Sequence, residues 1–97
     1  MNKLSKLRKD IDARDRELIS ILSARFSTVK KIAAHKKKNN LRSLDAGRWS
    51  EVMKKVLSLS KKKGLSKKLA TSIMGSIHEE SLQIEKQIIL VKDKNEK

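Results

Sequence analysis

Three cations and a scatter of acids and hydroxyls recur in this chain at intervals that fit a helix. Stepping from Leu4 by alternating fours and threes meets Leu4, Arg8, Ile11, Asp15, Leu18, Leu22, Arg25, Val29, Ile32 and Lys36, one continuous stripe if the segment is helical. Charges in such a seam are costly unless paired or bound to something. Asp15 can neutralise one cation, so Arg8, Arg25 and Lys36 are left seeking anions. A single basic side chain of this kind can snorkel to solvent; three in one register point to recognition of an anion. A second stripe, Met74, Ile77, Ser81, Ile84, Ile88 and Val91, carries a hydroxyl at its centre, with Glu85 one turn further on at its margin. Taken alone, Ser81 reads as a small residue bonded to the carbonyl one turn back, and Glu85 as solvated. Beside three cations they become candidate members of a polar site.

The elements that must position these residues are helices. Hydrophobic residues make up 37% of the 97 and charged residues another 37%, and proline is absent. That composition favours an all-α fold. From Asn2 to Lys38 no glycine interrupts, so one helix over about 2–38 is expected, its closing lysines suiting the helix dipole. Asn39 and Asn40 break the pattern. Asp45 is a suitable N-cap for a second helix over about 46–62, with Val52, Met53, Val56 and Leu57 on one side. Gly64 should stop that helix, and Ser66 should cap a third over about 67–91. Residues 1–97 are expected to form a single domain of three helices.

The first helix is too long for its own chain. About 36 residues at 1.5 Å each span about 54 Å, against a radius of gyration of about 12.5 Å for a compact chain of this length. Its apolar stripe therefore needs another surface, and a second copy about a twofold axis supplies one. An intertwined homodimeric helical bundle is the expectation.

Composition also excludes. With no cysteine there are no disulfides or thiolate metal sites. The apolar runs are short, so neither a signal peptide nor a membrane span is expected and the cytoplasm is the expected compartment. A net charge of +14 attracts phosphate backbones, anionic membranes and small anions alike. The lysines at 36–38, 61–63 and 67–68 read mostly as solvated surface. Phe26 and Trp49 are the only aromatics, too few for the stacking platforms of a single-strand nucleic-acid binder. His78-Glu79 lacks the second histidine of a zinc protease at Leu82, and Gly64-Leu65-Ser66-Lys67 lacks the earlier glycine of a P-loop. His78 and Ser81 share a helical face without an acid partner or oxyanion element, which argues against a hydrolase.

The chain resembles the all-helical chorismate mutases over nearly its whole length. The likeness is carried by Leu4-Ser5-Lys6-Leu7-Arg8-Lys9-Asp10-Ile11-Asp12 with the following Asp15, and by Arg25, Ile32-Ala33-Ala34-His35-Lys36, Asp45, Arg48 and Ser81 at the family's spacing. The resemblance implies two active sites in an intertwined dimer, each borrowing one arginine, here Arg8, from the neighbouring subunit. It further implies that Arg25 and Arg48 hold the two substrate carboxylates, as guanidinium forks suit planar carboxylates. Lys36 would contact a carboxylate and the ether oxygen, Ser81 would add a hydrogen bond, and Asp45 would shape the pocket near the ring hydroxyl. The implied reaction, chorismate to prephenate, is pericyclic and calls for no nucleophile, metal or cofactor.

Two positions depart from that family's commonest pattern. Glu85 stands where many members have glutamine as the second donor to the ether oxygen. An ionised carboxylate would repel an oxygen gaining negative charge, so Glu85 is expected to act protonated. Trp49 follows Arg48 where a glutamate usually receives the ring hydroxyl, and an indole cannot accept that hydrogen bond. Glu51, two positions further along a helix, points elsewhere. Trp49 therefore reads either as a substrate-contacting wall or as a plug packing helix two onto helix one. The departure leaves open a slow enzyme or a related substrate, as in isochorismate pyruvate-lyase or aminodeoxychorismate rearrangement. A non-catalytic helical binding module derived from the same fold stays open as well.

Overall fold

A computed structural model of the chain describes residues 2–42 and 46–90. They form three helices, α1 (Lys3–Lys38), α2 (Ala46–Lys62) and α3 (Lys67–Leu90), with no strand among the described residues. The ends follow local chemistry. Asn2 caps α1, its side-chain oxygen accepting from the Ser5 N–H at 2.8 Å, and so sits just outside the helix rather than in its first turn. At the other end Asn40 takes a left-handed φ of 56°, which lets the Leu41 N–H reach back to the Lys36 carbonyl at 2.8 Å and the Asn40 N–H to the Lys37 carbonyl at 3.3 Å. Gly64, with φ 77°, closes α2 in the same way: Leu65 N–H donates to the Ser60 carbonyl at 2.8 Å and Gly64 N–H to that of Lys61 at 3.2 Å. Ser66 opens α3, its hydroxyl accepting from the Leu69 N–H at 3.0 Å. The expected cap at Asp45 and the last seam position, Val91, lie outside the described residues.

α3 packs against both α1 and α2, whereas among the described residues no Cα of α1 comes within 8 Å of one in α2. The body is a rod, 65 × 30 × 15 Å, with a radius of gyration of 17.8 Å, well above the compact value of about 12.5 Å. α3 covers only the C-terminal part of α1. Val29 and Ala33 are buried there, while Leu4, Leu7, Ile11, Leu18, Ile19 and Ile21 are 49–65% exposed. The first half of α1 thus presents apolar surface that this chain does not cover.

Three expectations are corrected. The inward face of α1 is wider than one register: Ala33, outside the expected stripe, is 0% exposed, while Ile32, 46% exposed, lines the cavity beside Val29 and Lys36. A 3.6-residue helix drifts against a strict seven-residue pattern, so neighbouring positions share the contact face. Glu85 is not marginal: it is buried at 7% exposure with Ser81 at 8%, while Ile84 is only half-buried. Trp49 packs α2 onto α3 and not onto α1, because α3 is the helix that α2 lies against.

Candidate functional site

A cavity of about 160 Å³ opens where the three helices converge. α1 brings Arg25 and Lys36 to it, three turns apart on the face that also carries Val29. α2 brings Arg48, Trp49 and Val52 from its first two turns, and α3 brings His78, Ser81, Leu82 and Glu85, which lie three, four and seven residues along from the first and so share one face. Arg25, Lys36 and Arg48 give the lining three cationic side chains beside the single carboxyl of Glu85. Such an excess of cations suits a small anion.

The polar groups are already organised. Lys36 Nζ donates to Glu85 Oε1 at 2.7 Å across the α1–α3 interface, with the two side chains only 18% and 10% exposed. Arg25 Nη1 donates to Ser81 Oγ at 3.1 Å, and Ser81 Oγ in turn donates to the Ile77 carbonyl at 2.8 Å. The back-bond read from the sequence is therefore present, and the hydroxyl's lone pairs face the guanidinium. Ser81 fixes Arg25 in this state, and its proton reaches a ligand only by rotating away from Ile77. Arg48 meets Glu51 at 3.5 Å, with both side chains more than 60% exposed. Such an exposed pair contributes little to stability. Trp49 and His78 stack with ring centroids 3.9 Å apart and planes 17° from parallel.

Of the residues singled out from sequence, Arg25, Lys36, Arg48, Trp49, Ser81 and Glu85 all line this cavity. Arg8 does not: it is exposed on α1, seventeen residues before Arg25 and so about 25 Å away along the axis. Asp15 is likewise exposed on the uncovered half of α1. Asp45 lies outside the described residues. His78 is the lining residue that sequence reasoning weighed only for metal and hydrolase chemistry; its position three residues before Ser81 was the available signal. No group of three or more His, Asp or Glu that could hold a metal occurs among the described residues.

This small helical chain gathers three cationic side chains and a buried acid around an open cavity. The family model for chorismate mutase type II matches residues 7–86, and the chain belongs to that family. No curated protein matches the chain. None of the described helices is long and apolar enough to cross a membrane.

Proposed function

We propose that the protein is a cytoplasmic, homodimeric isomerase that rearranges chorismate to prephenate. The observation that carries this reading is the convergence of Arg25, Lys36 and Arg48 on one cavity with buried Glu85 and Ser81. Arg25 and Arg48 take one carboxylate each, and Ser81 orients Arg25. Lys36 reaches the ether oxygen, where charge grows as the C–O bond breaks and a new C–C bond forms to the ring. Protonated Glu85 donates to the same oxygen. No proton or electron leaves the substrate overall, so rate enhancement comes from holding the reacting ends together and from cations fixed before the charge develops. Arg8 joins from the neighbouring subunit. The uncovered first half of α1 supports that part of the reading, because a second copy packed there about a twofold axis would carry its Arg8 toward this pocket. Asp45 completes the pocket near the ring hydroxyl.

The test is direct: loss of chorismate and appearance of prephenate are followed by ultraviolet absorbance, with Lys36→Ala alongside. Removing such a donor should cost on the order of 10²–10³ in rate. Full activity in Lys36→Ala would overturn the mechanism. Trp49 stacked on His78, beside Arg48, favours a second reading in which the substrate is a relative of chorismate altered on the ring. Pyruvate release from isochorismate, or turnover of aminodeoxychorismate, would establish it. A folded chain inactive on all three substrates would be a binding module.

A further inference from the structure

The cavity's charged groups account for two carboxylates and an ether oxygen, yet one polar side chain in its wall is unused. His78 lines the cavity, and among the described residues its ring makes no hydrogen bond, whereas Arg25, Lys36, Arg48, Ser81 and Glu85 all have polar partners. Its ring stacks on Trp49, 3.9 Å between centroids and 17° between planes. That geometry matters in two ways. A face-to-face partner leaves both ring nitrogens at the imidazole edge, free of the indole, and it removes much of the ring's torsional freedom before a ligand arrives. A neutral imidazole offers one acceptor and one donor side by side. The substrate group left unmatched by the cations is the ring hydroxyl, which needs an acceptor for its proton. Trp49 cannot provide one, since the indole N–H only donates.

We infer that His78, held flat by Trp49, accepts the hydrogen bond of the substrate's ring hydroxyl and so determines specificity at that carbon. The inference rests on the chorismate reading above. It makes Trp49 a positioning residue, acting through the imidazole. A site built to bond a hydroxyl discriminates against a ligand that lacks it, because its own polar edge is then left unpaired.

The experiment compares chorismate with its analogue bearing hydrogen in place of the ring hydroxyl. His78→Phe keeps a ring for Trp49 to stack on and removes both nitrogens. It should lower kcat/KM for chorismate by about three- to tenfold, chiefly through KM, and leave the deoxy analogue's value undiminished or raised, since no polar edge is then left unpaired. His78→Gln, which restores an acceptor, should recover most of the loss and serves as the second variant if the phenylalanine does not pack. Equal slowing of both substrates would make His78 merely structural and overturn the inference, as would no change on chorismate. A native chain active on chorismate but indifferent to His78 defeats this inference alone; a native chain that does not turn chorismate over defeats the functional reading beneath it.

Discussion

Lys36 and Glu85 make a strong prediction about why a nearly buried ion pair bridges α1 and α3. At 2.7 Å and an effective dielectric constant near 20, their gross attraction is about 6 kcal/mol. Taking each ion out of water costs several kcal/mol, so the net contribution of the pair is close to zero. Removing one partner is different, because the other charge stays behind at 18% or 10% exposure. Lys36→Met strands the Glu85 carboxylate. The penalty is capped by uptake of a proton, which costs about 3–4 kcal/mol for an ordinary glutamate at neutral pH. In Glu85→Met the ammonium sits on a longer stem that can reach for water, so the cost of that variant should be the smaller. We expect each single variant to lose about 2–4 kcal/mol and the double variant, two unbranched side chains facing each other, to lose no more than about 1 kcal/mol. Urea unfolding followed by circular dichroism, at one fixed protein concentration so that any subunit association is held constant, measures all three. All three should lose chorismate rearrangement. The pair would then be kept for chemistry at little benefit to stability. Additive losses in the double variant would refute this, since they would mean the pair itself stabilises the fold.

In the proposed dimer, Arg8→Ala and Lys36→Ala spoil complementary halves of each site. Mixing the two inactive chains and allowing exchange should restore about a quarter of native activity, because half the dimers are mixed and each has one intact site; no recovery would place Arg8 outside the active site. If Glu85 serves the ether oxygen as a donor, Glu85→Gln, which keeps a donor at that place, should retain chorismate turnover where Glu85→Ala loses it. Equal loss in both variants would remove that role. At the end of α2, Gly64→Ala should cost about 1–2 kcal/mol of stability from the left-handed backbone alone, because nothing lies within 4 Å of the added Cβ. A neutral result in urea unfolding would show that this turn relaxes.

Helix boundaries were legible because each rests on one or two side chains acting locally. Gly64 and Ser66 close and open helices by bonds to backbone within five residues, and Asn39-Asn40 ends α1 through a φ that asparagine tolerates. The cations of the site were legible too, since a helical register carries Arg25 and Lys36 to one face whatever they face. What failed was everything set by how one helix crosses another. That Ala33 is buried beside the expected stripe, and that Glu85 is buried and not marginal, depends on the line along which α3 meets α1, which the periodicity of either helix alone leaves undetermined. His78 was missed for the same reason. It becomes part of a cavity only because α2 brings Trp49 against α3.

The same distinction bears on the uncovered half of α1. Its apolar residues and Arg8 lie in one register with Arg25 and Lys36, so whatever covers Leu4, Ile11 and Leu18 also fixes where the Arg8 guanidinium goes. A helix continuous from Lys3 to Lys38 couples the two demands rigidly. Placing a charge on this face, as in Ile11→Asp, should therefore weaken association of the proposed dimer and chorismate turnover in parallel, without touching the Lys36–Glu85 pair. Sedimentation and the ultraviolet assay over a range of chain concentrations separate the outcomes: activity that survives in a monomer would detach Arg8 from the site, and with it the reason for so long a first helix.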